Sequence, residues 1–137
     1  MYHYRKTHKV YKSFPKPSGC SFCEDDLAAK AVKMTEHAYV IPNRVSYDLW
    51  EMREVTDHLL IIPRKHVHGF NELPDAAKIE IMDLMAEYEV QGYNIYARGV
   101  NNGQRSVDHQ HTHLLRTKAK AVRGSLVLKR PYVVVKF

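Results

Sequence analysis

The segment His109-Gln-His111-Thr-His113-Leu-Leu115 places a histidine at every second position, and a period of two belongs to a β-strand. Side chains two apart on a strand share a face at a spacing of about 6.6 Å, so this row would line one face with three imidazoles. Burying them without partners is costly. Chance explains the row poorly, because three of the chain's nine histidines fall within five residues. Three readings are open. The histidines are incidental to an exposed strand, or they form a metal-binding row, since His-x-His offers two imidazoles to zinc. In the third, one acts as a nucleophile, its ordinary pKa of about 6.5 leaving it largely neutral at pH 7.

The surrounding pattern limits the fold. Tyr39-Val-Ile41 reads as a strand stopped by Pro42-Asn43, and Leu59 to Ile62 as a strand ended by Pro63. Tyr93 to Arg98 alternates as a strand, His109 to Leu115 is another, and Ser125 to Leu128 and Tyr132 to Lys136 are short β-like stretches. One long helix is expected from Leu73-Pro-Asp75 to about Gln91, with Ile79, Met82 and Met85 along one face and Gly92 as its stop. A shorter helix, capped by Asp25, is expected to run to about His37, with Leu27, Ala28, Ala31, Val32 and Met34 on its apolar side. Asn101-Asn-Gly103 is a tight turn. The expectation is an α+β domain on an antiparallel sheet of about five strands, with one long and one shorter helix. Residues 1–18, with Pro15 and Pro17 and the turn Ser18-Gly19, form a basic N-terminal arm before a single domain over 19–137.

A chain of 137 residues can bury a core without disulfides. No apolar run approaches the roughly 20 residues of a membrane span, and no hydrophobic segment follows the basic N-terminus. A cytoplasmic protein is expected, without a membrane partner. The formal net charge is +6, and it is unevenly spread. Residues 1–16 hold five Lys or Arg and residues 109–137 hold seven, with no acid in either stretch. Basic ends around an acidic middle suit a phosphate-rich partner or substrate; they also suit a solubilising role.

Cys20-Ser-Phe-Cys23 contains both cysteines of the chain, which excludes a disulfide framework and a Cys₄ zinc site. The pair is a redox motif or half of a metal site. A thioredoxin-like redox pair follows a strand, and Pro15 to Gly19 is not strand-like. A tetrahedral zinc site needs two further ligands, and histidines are available; His68 is a lesser candidate and reads better as a surface residue.

Taken together, these segments resemble the histidine triad (HIT) family of nucleotide hydrolases and transferases. The row at 109–115 is similar to its His-φ-His-φ-His-φ-φ signature, and His58-Leu-Leu-Ile-Ile-Pro-Arg-Lys-His66-Val to its strand ending in Pro, a basic pair and His. The helix at 75–91, Asn101-Asn-Gly103 and Ser106-Val107 follow in the family's order, so the resemblance covers about residues 19–116. The chain departs at Gln110 and Thr112, polar where the family is usually apolar, at Arg105 in a shortened loop, and at Arg116. These departures bear on substrate preference.

The resemblance implies a nucleotide substrate attacked at its α-phosphate, with His111 as the nucleophile that forms a transient nucleotidyl-histidine. Hydrolysis or transfer of dinucleoside polyphosphates or nucleoside phosphoramidates is the implied reaction. It further implies that His113 donates to phosphate oxygens and that Ser106, with the backbone near Val107, contacts the phosphate or leaving group. One of Asn101 and Asn102 matches the family's active-site Asn, with Asn102 preferred; His58 matches a histidine that lines the nucleotide site in many members, or is simply a polar residue at a strand end. Asn43 is either a ribose contact or a turn residue after Pro42. Zinc-containing members pair Cys-x-x-Cys with two histidines, which implies one structural zinc ion held by Cys20, Cys23, His66 and His109. A homodimer is implied too, and Tyr132 to Phe137 could pair in it as an edge strand or pack on its own domain. A second function is a nucleic-acid-binding protein, or one acting on adenylylated nucleic-acid ends, whose basic tails hold phosphates while Tyr2, Tyr4 and Tyr11 stack on bases.

Overall fold

Strand β4, Arg53–Pro63, is the spine of the molecule. The computed structural model describes residues 3–15, 18–129 and 132–136. Tyr2, Pro17 and Phe137, which entered the sequence reading, lie outside them. In chain order the elements are α1 (Arg5–Ser13), α2 (Ser21–Glu24), α3 (Leu27–Lys30), β1 (Lys33–Met34), β2 (Ala38–Pro42) and β3 (Leu49–Trp50). After β4 come a 3₁₀ turn at Phe70–Glu72, α4 (Asp75–Glu89), β5 (Asn94–Ala97), β6 (Thr112–Ala121), β7 (Ser125–Lys129) and β8 (Tyr132–Lys136). The main sheet runs β1-β2-β4-β6-β5 with β3 also on β4, six strands and every pair antiparallel. It is an α+β fold with one strand more than expected, because the two-residue β1 and β3 leave little periodicity to read.

All six residues from His58 to Pro63 are buried, as a central strand covered on both faces requires. Leu59 and Ile61 join Val40, Leu114 and the buried side of α4; Leu60 and Ile62 join Ile41, Leu27 and Phe22 on the other face. The buried stripe of α4 is Ala77, Ile81, Leu84 and Tyr88, with Met85 beside it. The face expected to be buried is therefore corrected: Ile79 is 62% and Met82 63% exposed. Both stripes satisfy the helical period, and the sheet decides between them. Glu80 latches the helix to the β1–β2 turn through the His37 amide at 2.8 Å.

The helix expected from Asp25 to about His37 is only the four residues of α3. Asp26, not Asp25, caps it, its side chain accepting from the Ala29 amide at 3.1 Å. The chain then turns into β1, because Val32, Lys33 and Met34 extend along β2. The N-terminal arm contains a helix, α1, whose charged sequence shows no apolar stripe; its anchor is distant. Asp48 accepts from the Tyr4 amide at 2.7 Å and from the Thr7 hydroxyl at 2.9 Å, and Arg44 lies 4.2 Å over the Phe14 ring. β8 pairs with β7 in a separate two-stranded sheet rather than at an edge of the main one. Among the described residues no helix is long and apolar enough to cross a membrane.

Candidate active site and metal centre

The row of histidines is not wholly on a strand. β6 begins at Thr112, so His109 and His111 sit in the irregular approach and only His113 is within it. The expected single face at strand spacing is thereby corrected. The chain is held there by the Gln110 amide donating to the Val67 carbonyl at 2.7 Å, and all three imidazoles are buried.

Three rings, His109, His111 and His58, are oriented by a backbone group whose role as donor or acceptor is fixed, and His113 is oriented by His58. His109 Nε2 is 2.9 Å from the Pro63 carbonyl, which only accepts, so Nε2 carries the proton and Nδ1 has the lone pair. His111 Nδ1 is 2.9 Å from the His109 carbonyl, so Nδ1 is protonated and the lone pair lies at Nε2. The Tyr47 amide donates to His58 Nδ1 at 3.1 Å, which puts the His58 proton on Nε2. His58 Nε2 donates to His113 Nδ1 at 2.9 Å, leaving His113 with an N–H at Nε2, 3.5 Å from the Tyr47 hydroxyl. One imidazole thus presents a lone pair, and its neighbour, 5.0 Å away between ring centres, presents a donor.

Burial keeps these rings neutral. It lowers the His111 pKa, and the positive charges of Arg105 and Arg98 push the same way. Burial, then the neighbouring His111, His58 and Arg98, brings His113 to about 2. His58 falls to about 3, again chiefly by burial, with His3 and His111 adding to the shift and Asp57 opposing it. A neutral imidazole keeps the lone pair that nucleophilic attack needs.

Cys20, Cys23, His66 and His109 converge, one ligand atom from each lying within 4.8 Å of all the others. The first turn of α2 aims the two thiols together, with the Cys23 amide on the Cys20 carbonyl at 2.9 Å. His109 Nδ1 is 3.6 Å from both Cys20 Sγ and Cys23 Sγ, and His66 Nδ1 is 3.2 Å from Cys23 Sγ. A tetrahedral ion with metal–sulfur distances of about 2.3 Å and metal–nitrogen of about 2.0–2.1 Å sets sulfur and nitrogen about 3.5 Å apart. The four residues fit such an ion, and the Pro63 carbonyl supplies the outer contact that orients a ligand histidine. His68 is outside the cluster, exposed and 3.6 Å from Glu72. The same turn carries Phe22 onto His111, ring centres 5.3 Å apart.

The remaining residues singled out in the sequence are placed less uniformly. Asn43 lies on His58, its Nδ2 3.2 Å from Nδ1. Asn101 takes a left-handed conformation, φ 60°, and the Asn102 carboxamide accepts from the Gln104 amide at 2.9 Å within its own loop. Ser106 is exposed and Val107 half-buried. No hydrogen bond among the described residues joins the side chain of Asn101, Asn102 or Ser106 to the histidines. Two departures from the family pattern turn out to be partners: Arg105 Nη2 donates to Gln110 Oε1 at 3.1 Å, and Nε to the Val107 carbonyl at 3.1 Å. Tyr47 and Arg98 were missed in the sequence. Tyr47 packs on His58 and His113, and Arg98 donates to the Gln104 carbonyl while lying 5.9 Å over the Tyr96 ring. A lone Tyr or Arg in a loop carries no periodic or motif signal.

Residues 53–120 match the HIT domain family. No curated protein sequence matches the chain. Among solved structures, a HIT family hydrolase from Clostridium thermocellum is similar with a TM-score of 0.54 and 22% identity, over 78% of this chain and 97% of that one. A histidine triad protein from Clostridium difficile gives a TM-score of 0.52 at 16% identity, over 79% and 97%. A HIT family hydrolase from Legionella pneumophila gives 0.50 at 21%, over 71% and 91%. The family match over residues 53–120, the fold shared with these structures and the row of histidines within the match support the HIT family for this chain.

Proposed function

We propose that the protein is a nucleotide hydrolase or nucleotidyl transferase in which His111 Nε2 attacks the α-phosphorus of the substrate. The observation that carries this is the pairing of a neutral lone pair at His111 Nε2, set by the His109 carbonyl, with an N–H donor at His113 Nε2, set by the Tyr47 amide through His58. In the first step a bond forms between Nε2 and phosphorus. The bond to the leaving group breaks with its electron pair going to the leaving atom; a polyphosphate oxygen departs as the anion, and a phosphoramidate nitrogen takes up a proton from solvent and departs as the amine. In the second step water or another acceptor attacks the phosphorus, its proton passing to solvent, and the electron pair of the nitrogen–phosphorus bond returns to His111. His113 donates to a phosphate oxygen, exchanging the long contact to Tyr47 for a charged acceptor. Ser106, with the Val107 backbone, and one of Asn101 and Asn102 approach the phosphate or leaving group from the loop that Arg98 and Arg105 pin. Asn43 and His58 line the nucleoside side. Zinc at Cys20, Cys23, His66 and His109 would be structural, tying α2 to the approach of β6.

Intact-protein mass spectrometry after incubation with adenosine phosphoramidate or a diadenosine polyphosphate tests the reading. The expected result is an adenylyl adduct, enriched when His113→Asn slows the second step and absent in His111→Ala. Nucleotide release by His111→Ala at the wild-type rate would overturn it.

A second reading, binding of a nucleic-acid strand, is favoured by α1. Its exposed Lys6, Lys9 and Lys12 are carried to the site by the contacts of Tyr4 and Thr7 with Asp48, next to Tyr47. Its mark is an affinity for single strands that falls steeply between low and moderate salt.

A further inference from the structure

We propose, resting on the nucleotidyl-transfer reading above, that Tyr47 is a further catalytic residue whose hydroxyl donates, beside His113 Nε2, to the same oxygen of the transferred phosphate. The Tyr47 hydroxyl oxygen is 3.5 Å from His113 Nε2. That nitrogen carries a proton, because the Tyr47 amide fixes the His58 tautomer and His58 fixes that of His113. Arg98 makes a side-chain hydrogen bond to the same hydroxyl, and a guanidinium only donates. Both neighbours therefore give hydrogens to the Tyr47 oxygen, and neither can take the hydrogen that the hydroxyl itself carries. Among the described residues no carbonyl or carboxylate lies at hydrogen-bond distance to take it.

Three donors thus meet: the Tyr47 O–H, the His113 Nε2–H and the Arg98 guanidinium. Tyr47 is buried, and a buried hydroxyl without an acceptor costs free energy. An anionic oxygen between the first two donors accepts both hydrogens and lies in the field of the third. The ring that carries the hydroxyl is held from several directions. It packs on His58 at 4.5 Å and on His113 at 5.4 Å between ring centres, and the His3 ring meets it edge-on at 5.4 Å. Its main chain is held as well, by the amide on His58 Nδ1 and by the Asp48 carbonyl, which accepts from the Val55 amide at 3.0 Å. A donor fixed in place before charge develops needs no reorganisation during the reaction. Burial raises the Tyr47 pKa against the opposing pull of Arg98, so the hydroxyl keeps its proton at neutral pH.

Tyr47→Phe removes the hydroxyl and leaves the ring and the backbone amide in place. Isothermal titration calorimetry of the full-length protein with AMP and with adenosine needs no turnover. The expected result is an AMP Kd raised about tenfold in Tyr47→Phe, as for one lost hydrogen bond to a charged group, with the adenosine Kd unchanged. Equal changes for both ligands, no change for AMP, or no binding of AMP by wild type would overturn the proposal. Kinetics form the second arm, on adenosine phosphoramidate and diadenosine triphosphate, which transfer the same adenylyl group. In Tyr47→Phe, kcat is expected to fall by the same factor on both, about 10²-fold, with a smaller change in KM. A loss confined to one leaving group would put the hydroxyl on the leaving atom, and an unchanged kcat would make Tyr47 a packing residue; either result overturns the assignment. If wild type turns over neither substrate, the reaction assigned above has failed, while the calorimetry still decides the phosphate contact.

Discussion

His58 Nε2 and His113 Nδ1 lie 2.9 Å apart, the middle link of a relay that begins at the Tyr47 backbone amide and ends at the outward N–H of His113. A backbone amide can only donate, so the whole sequence of tautomers is set by main-chain geometry and not by solvent pH. His58→Ala removes the link and lets His113 turn its lone pair outward. We expect kcat on adenosine phosphoramidate to drop about 10²–10³-fold, the usual effect of losing one donor to a developing charge, with little change in KM. His58→Gln, whose carboxamide N–H can still donate to His113, should keep more of the rate. Steady-state kinetics of the two variants check this, and an unchanged kcat in His58→Ala removes the relay from the mechanism.

The same burial makes stability depend on pH. His58 titrates at about 3 and His113 at about 2 in the fold, against an ordinary value of about 6.5 in the unfolded chain. Between these limits the unfolded chain takes up protons that the folded one refuses. Stability is therefore full above about pH 6.5 and is lost as the pH falls toward the folded values. His3, His111 and Arg98 face these rings and reinforce the shift, while Asp57 opposes it on His58. Urea midpoints measured from pH 7.5 to 4.5 should decline steadily, and less steeply in His58→Gln.

Elemental analysis of the purified protein should find one zinc per chain, matching the convergence of Cys20, Cys23, His66 and His109. Replacing both cysteines with serine should abolish the metal and lower Tm, because a structural ion contributes to folding directly. Activity at low temperature should fall less than Tm does, since none of these residues is assigned a bond to substrate. A folded, metal-free wild type of unchanged Tm after chelation would count against the site.

The packing of α4 gives a comparison within one helix. Leu84→Ala, in the buried stripe, should cost about 2–5 kcal/mol in denaturant unfolding. Met82→Ala, two residues before it and 63% exposed, should stay within about 0.5 kcal/mol of wild type. The opposite order would mean that the exposed stripe is covered in solution.

What could be read from residue order alone was whatever repeats or stands next to itself in the chain. The period of α4, the aliphatic run Leu59 to Ile62, the histidines at 109, 111 and 113 and the Cys20–Cys23 pair are local patterns, and they were enough for an α+β fold; the set Cys20, Cys23, His66 and His109 followed only from the family resemblance, and the fold brings those four together. Tertiary structure decided everything that depends on which surface meets which. Two stripes of α4 obey one period, and only the sheet selects Ile81 over Ile79. Asp48 gives the charged α1 its anchor from across the chain, and Arg105 meets Gln110, joining two residues that looked like separate irregularities. The triad is the sharpest case. Three identical side chains in a row are chemically equivalent in sequence, and they come to present a lone pair at Nδ1, a lone pair at Nε2 and an N–H at Nε2 because the Pro63 carbonyl, the His109 carbonyl and the Tyr47 amide acting through His58 each fix a different nitrogen. A proton's position on an imidazole is set by the partner across a hydrogen bond, and these partners come together only when the chain has folded.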